Sequence, residues 1–280
     1  MEKFCIIIPV YKDKLDCIEE LSLKRLYNVI FKNSDNLIDW KEPDVYLICP
    51  KKMNTDKYKK IYPSIKVKEF DKKWFESTAS YSQLCIQYSF YNKFSKYEYM
   101  YIYQLDCYLV YDNLEEWCNK GYDYVGAPII ASDAGWKNWD DPNNYKPQVG
   151  NGGFSLRKIS VFKDITDPNG EFREYYKIND EILSKVIYED KYFCNDIYSY
   201  YDIIRPSWQK ALLFALDMNV DVIYANGFKE IPMGIHAWPK NIRYWKNVLE
   251  ELKDNQEIID ICEERYKEYF KLYYGENEKQ

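Results

Sequence analysis

Histidine is almost missing from this 280-residue chain; the only one is His236. One imidazole cannot build a zinc site alone, which excludes the commonest histidine-rich metal centres. Closely spaced cysteines are missing too. The nearest of the eight are Cys107 and Cys118, which excludes zinc knuckles and a compact disulfide framework and reads as reduced core thiols in a cytoplasmic protein. No stretch approaches the roughly 18 apolar residues of a membrane span, so any membrane attachment would be peripheral, at the inner face. The opening MEKFCIIIPVY has an apolar core too short, and too soon followed by proline and charge, for a signal peptide; it reads as a buried first strand. Positive charge is not in excess. With 39 Lys plus Arg against 45 Asp plus Glu, the net charge of -6 excludes an overall attraction to nucleic acid. Glycine is scarce, and three of the ten fall at positions 150, 152 and 153.

What is present is apolar and aromatic: 46% of residues are hydrophobic and 18% aromatic, enough to bury about three quarters of the unfolded surface in one core. The first half alternates strand-like and helix-like segments: Phe4 to Val10, then apolar positions from Leu15 to Ile30 at helical spacing, then strands at Val45 to Cys49 and Ile65 to Phe70. A helix over Tyr81 to Phe94 and a long central strand over Tyr99 to Val110 follow. This alternation predicts an α/β fold with a mostly parallel central sheet flanked by helices, binding ligands beyond the carboxyl ends of its strands. Pro206 opens a further helix, and Val220 to Tyr224 reads as a final strand. Residues 1–240 read as one domain and 241–280 as an amphipathic helical tail packed on it.

Three places carry chemistry. The VGNGGFSLRK segment at 149–158 reads as a loop wall facing a ligand or as an ordinary turn before a strand. Asp106 is the only charged residue between Glu98 and Asp112; a carboxylate there is a metal ligand at the binding edge of the sheet or the cap of the next turn. With His236 and the oxygens of a diphosphate it would complete a shell around manganese or magnesium. Glu189 and Asp190 are adjacent carboxylates whose side chains diverge, so that one could hold an acceptor hydroxyl while the other removes its proton; surface acids are the alternative. The long polar loop from Ile130 to Gln148, with Trp136 and Trp139, reads as a functional loop.

Taken in order, IIIPVY, YQLDC, YVGAP, VGNGGFSLRK, YEDKYF and GIHAWP resemble a glycosyltransferase of the GT-A (Rossmann-like) fold. They are most similar to a little-characterised microbial family and more distantly to the beta-1,4-galactosyltransferases. The resemblance implies a metal-dependent transfer of a sugar from a nucleotide-sugar, UDP-hexose by preference, to a hydroxyl of a glycan or glycoconjugate, with inversion. It makes Asp106 and His236 the ligands of Mn2+ or Mg2+, with Gln104 where many GT-A enzymes carry the first Asp of Asp-x-Asp. Met233 and His236 share the spacing of the galactosyltransferases' Met-x-x-His element. Pro9, Val10, Tyr11 and Pro50 would border the nucleobase pocket, Tyr81 would reach the ribose or diphosphate, and Gln104, Leu105 and Asp106 would complete the donor site. Gly150, Asn151, Gly152, Gly153 and Phe154 would line the sugar and acceptor, where a side chain at 152 or 153 should block transfer and spare nucleotide binding. Asp190 becomes the base, Glu189 a sugar contact and Arg157 a cationic helper. Trp136, Trp139 and Trp238 offer faces on which a sugar can stack, and the loop carrying the first two would order as a lid on donor binding. Two other readings stay open: an inactive glycan-binding or scaffold protein, suggested by the incomplete Asp-x-Asp, and a sugar-phosphate nucleotidyltransferase, which usually has a basic glycine-rich loop where PVYKDK has no glycine.

Overall fold

A computed structural model describes residues 1–32, 42–130, 148–197 and 201–274. Trp136 and Trp139 lie outside the described residues. The chain opens with β1 (Glu2–Pro9), α1 (Cys17–Lys32), β2 (Asp44–Pro50), α2 (Asp56–Ile61) and β3 (Lys66–Phe70). Next come α3 (Thr78–Cys85), α4 (Tyr88–Asn92) and β4 (Tyr97–Tyr103). β1, β2 and β4 carry near-continuous apolar and aromatic runs because both faces are covered, whereas the edge strand β3, KVKEF, does not. Along β1, Ile6 and Ile8 join a core with α1 and α2 beneath one face, while Cys5 and Ile7 join a core with α3 and α4 over the other. The single helix expected over Tyr81 to Phe94 is two short ones, broken at Ile86 and Gln87.

The expected central strand is shorter than its apolar run. After Tyr103 the chain turns, with the Cys107 amide bonded to the Gln104 carbonyl at 2.9 Å, and leaves the sheet for β5 (Tyr108–Leu109). The turn places Asp106 just beyond the carboxyl end of β4, at the edge where α/β sheets bind ligands. Then follow α5 (Leu114–Asn119), β6 (Tyr124–Gly126), β7 (Pro128–Ile129), β8 (Gln148–Val149), β9 (Phe154–Lys158) and α6 (Ile159–Thr166). The main sheet has the order β3-β2-β1-β4-β9-β6. Its first three pairings are parallel, and β9 runs antiparallel to both neighbours.

Short helices α7 (Glu171–Tyr175), α8 (Asp180–Ser184), α9 (Glu189–Lys191) and α10 (Trp208–Phe214) lead to β10 (Ala215–Leu216), α11 (Val220–Ala225) and β11 (Gly234–Ile235). β5, β10 and β11 form a small second sheet. The strand expected over Val220 to Tyr224 is the helix α11: its buried residues are Val220 and Ile223, three apart, and so short an apolar run has no period that separates helix from strand. The chain ends in α12 (Ile242–Trp245), α13 (Glu250–Lys253), α14 (Gln256–Arg265) and α15 (Lys267–Tyr274). Packing runs across residue 240: Trp245, Leu252, Ile259 and Cys262 share one buried cluster with Ile18, Tyr108 and Trp238. Glu251 of α13 binds Arg25 and Tyr108, and Arg265 of α14 binds Asp16 at 3.1 Å.

Candidate functional site

The glycine segment is the joint of the site. Asn151 has a left-handed backbone with φ of 64°, a region asparagine tolerates because its side chain bonds locally. Its Oδ1 accepts from the amides of Gly153 (3.0 Å) and Phe154 (3.3 Å), which fixes the amide orientation and aims Nδ2 at Asp217 Oδ2 (2.9 Å) and His236 Nδ1 (2.8 Å). The Gly152 amide donates to Asp190 Oδ2 at 3.2 Å, and the Gly153 carbonyl accepts from the Gln104 amide at 2.9 Å. Four residues thus tie together three distant parts of the chain.

The glycines are required for space, since neither Gly150, Gly152 nor Gly153 has a positive φ. A β-carbon on Gly152 would run into Glu189 Oε1 and lie 3.0 Å from Arg157 Nη2. On Gly153 it would run into His236 Nε2 and lie 2.7 Å from Gln104 Oε1, and on Gly150 it would meet Ile129. This corrects the picture of a bare sugar wall: protein side chains fill the space above the backbone, so a side chain at 153 strikes His236 itself.

His236 follows β11 and is held at one ring nitrogen. Nδ1 lies 3.1 Å from Asp217 Oδ1, while Nε2 is buried without a hydrogen-bond partner and faces Asp106 Oδ1 at 3.6 Å. Burial alone would lower its pKa, but Asp106 and Asp217 outweigh it and push it up to about 9. An unpartnered buried nitrogen facing a carboxylate fits a divalent cation, with Asp217 in the orienting place that carboxylates take behind metal-binding histidines. Cys107 Sγ is in the same cluster. Its thiol donates to the Gly153 carbonyl at 3.3 Å, and burial first, then Asp106, pushes it up, so the cation-facing atoms are the carboxylate and the imidazole. Met233 is fully buried in the core below the sheet, so its spacing to His236 brings no thioether to the site. Asp217 was missed in the sequence, although it is the only charge between Lys210 and Asp221, the same signal that singles out Asp106.

Glu189 and Asp190 diverge as expected, but the first is fully engaged. Glu189 is buried, its Oε1 2.9 Å from Arg157 Nη2 and its Oε2 accepting from Ser82 Oγ at 2.7 Å. Arg157 is wholly buried and also donates to Ser155 Oγ and Tyr91 Oη. It therefore cannot reach a diphosphate or a sugar, and Glu189 is buried beside it. Asp190 accepts from the Lys191 amide at 2.7 Å and from Gly152; burial first, then the Glu189 charge, raises its carboxyl pKa.

A cavity of about 530 Å3 opens beside Asp106, within the range of ligand pockets. It brings together Pro9, Val10, Tyr11, Tyr81, Gln104, Leu105 and Asp106 of the expected donor site. Pro50 is not among its lining residues. Two residues of the C-terminal segment are: Arg265 and Tyr266. Trp238 and Phe154 depart from expectation. Trp238 is fully buried and donates to Ser22 Oγ at 3.1 Å, and Phe154 packs in the core against Tyr101 and Phe214, so neither presents a face to a sugar.

Residues 64–236, more than half of the chain, match the family described as "Protein of unknown function (DUF5672)". The chain belongs to the DUF5672 family. No curated protein matches it. Among solved structures, the DUF5672 chain is similar to mouse xyloside xylosyltransferase 1 in its apo form, at 10% identity and a TM-score of 0.51, covering 84% of this chain and 97% of that one. It is similar at the same identity and TM-score to an active-site mutant of LgtC, covering 91% of this chain and 95% of that one. At such identity the likeness shows the fold alone, and that fold is GT-A: a central sheet flanked by helices, as the motif order implied. No described helix of the DUF5672 chain is long and apolar enough to cross a membrane.

Proposed function

We propose that this chain is a metal-dependent glycosyltransferase that moves a sugar from a nucleotide-sugar, UDP-hexose by preference, to a hydroxyl of a glycan or glycoconjugate. The observation that carries the reading is His236 Nε2, buried without a partner and 3.6 Å from Asp106, a residue that lines the 530 Å3 cavity. Asp106 and His236 would hold Mn2+ or Mg2+, which when bound neutralises charge that builds on the departing diphosphate. Asp217 accepts from the imidazole Nδ1 and keeps the ring turned toward that cation, and Asn151 Nδ2 in turn holds Asp217. Pro9, Val10, Tyr11 and Tyr81 wall the space for the nucleoside.

Asp190 takes the proton of the acceptor hydroxyl. Its raised pKa makes it a better base than an exposed aspartate, and the Gly152 amide fixes one oxygen so that the carboxylate keeps a single orientation. Glu189 acts behind it as a fixed charge. A single displacement with inversion follows from a base on the acceptor oxygen. The motif order, including the more distant likeness to beta-1,4-galactosyltransferases, supports the same assignment, and the eight unpaired cysteines favour a reducing compartment such as the cytoplasm.

A thermal-shift screen of nucleotide-sugars with and without Mn2+ tests the reading, because a ligand that binds the native state raises its melting temperature. A metal-dependent rise with a UDP-sugar is expected, lost in Asp106→Ala and in His236→Ala. A rise needing neither the metal nor these residues would overturn the site. Metal-dependent binding without any donor turnover would favour a glycan-binding protein that keeps the fold.

A further inference from the structure

The cavity beside Asp106 has a charge balance that an anionic donor must overcome. Its lining includes four carboxylates, Asp16, Glu19, Glu76 and Asp106, and two cations, Lys12 and Arg265. Both cations are paired with acids at the start of α1. Arg265 Nη1 is 3.1 Å from Asp16 Oδ2, and Lys12 Nζ is 2.8 Å from Glu19 Oε2 and 3.6 Å from Asp16. Asp16 has a separate task as the cap of α1: its Oδ1 accepts the Glu19 amide at 3.0 Å, and Glu19 Oε2 accepts the Asp16 amide at 2.9 Å. The pair with Arg265 is partly exposed, 39% and 31%, and such a pair is weak enough to be exchanged.

Arg265 ends α14, in the segment after residue 240, and its neighbour Tyr266 also lines the cavity. Asp106 lines the same cavity. The tail thus faces the carboxylate assigned to the metal. Arg157, the cationic helper that the motif resemblance implied, is locked away on Glu189, so beside the metal no protein cation is yet assigned to the leaving group.

We propose that α14 completes the donor site: Arg265 releases Asp16 and binds the diphosphate of a nucleoside diphosphate or nucleotide-sugar, with Lys12 beside it. This rests on the glycosyltransferase reading above. A planar guanidinium bonds two phosphate oxygens at once, which an ammonium cannot. Its exchange between Asp16 in the empty pocket and phosphate in the filled one makes the cation available only when an anion arrives. The segment after residue 240 is then part of the site.

The test is calorimetric titration of the full chain with UDP and with GDP in Mn2+, each compared with its nucleoside. Arg265→Gln should weaken diphosphate binding by about tenfold or more, the loss of one charge-assisted hydrogen bond, and leave nucleoside binding and the melting temperature nearly unchanged. Asp16→Asn keeps the helix cap, because Asn caps as well as Asp, and frees the guanidinium; it should tighten diphosphate binding, and this gain should shrink in the Arg265→Gln background. A merely structural Arg265–Asp16 pair predicts instead that both single variants weaken binding alike. If wild type binds either diphosphate but Arg265→Gln binds it equally well, the inference is overturned and the glycosyltransferase reading stands. If wild type binds neither, both fall.

Discussion

Arg157→Met removes the cation from the most deeply buried ion pair of the site while keeping a long apolar side chain. Arg157 is 0% exposed and the Glu189 side chain 7%, so water does not replace the lost partner. Glu189 keeps only Ser82. Breaking a buried pair by removing one partner costs about 3–5 kcal/mol, because the remaining charge stays desolvated. The unfolding entropy of a chain this long is about 0.6 kcal/mol per degree, from roughly 2.1 cal/mol/K per residue. The melting temperature should therefore fall by about 5–9 °C. Glu189→Leu alone should destabilise for the mirror reason, leaving Arg157 uncompensated. The double variant Arg157→Met, Glu189→Leu should lose far less than the two single losses combined, since no buried charge is left. Urea unfolding followed by circular dichroism, with the midpoint and slope fitted for all four proteins, reads this coupling. A loss below about 2 °C for Arg157→Met, or strict additivity in the double variant, would show that the pair is solvated or that Glu189 finds another partner, and would refute the reasoning.

Gly153→Ala should abolish the Mn2+-dependent thermal shift, because the new methyl displaces His236 Nε2; Gly152→Ala should instead lower the melting temperature by pressing on Glu189 and Arg157, and reversed phenotypes in thermal-shift assays would contradict the packing. The response to Mn2+ should also grow with pH. His236 has a raised folded pKa of about 9, above the ordinary value near 6.5. Its contribution to the stability of the metal-free protein is complete below pH of about 6.5 and disappears as pH rises through about 9. Over the same window the proton leaves the nitrogen a cation needs, so Mn2+ affinity measured by titration should rise between pH 6.5 and 9; a flat profile would mean that His236 is not a ligand.

The parallel half of the sheet was legible because strands covered on both faces leave continuous apolar runs such as CIIIP and VYLIC. Asp106 was legible for the same reason, as one charge in such a run. The end of β4 was not, since Gln104 to Cys107 continues an apolar run and only the backbone turn removes it from the sheet. Arg157 and Glu189 misled because nothing local reveals burial: one is in a strand, the other in a helix of three residues, 32 positions apart, and each looks like a surface charge until the fold joins them. The glycines lie beside the candidate site, where the space a β-carbon would fill is taken by Glu189 and His236.

The reversal of β9 has a topological consequence. In an all-parallel sheet, every segment delivered to the ligand-binding edge follows its strand. Because Tyr103 at the end of β4 pairs with Phe154 at the start of β9, the edge here receives a segment that precedes its strand. The 150–153 loop and the 104–107 turn therefore meet head-on, 46 residues apart in sequence at Cys107 and Gly153. One inverted strand lets the chain enter the site twice from opposite directions, so the backbone itself closes the gap between the carboxylate past β4 and the acid on α9.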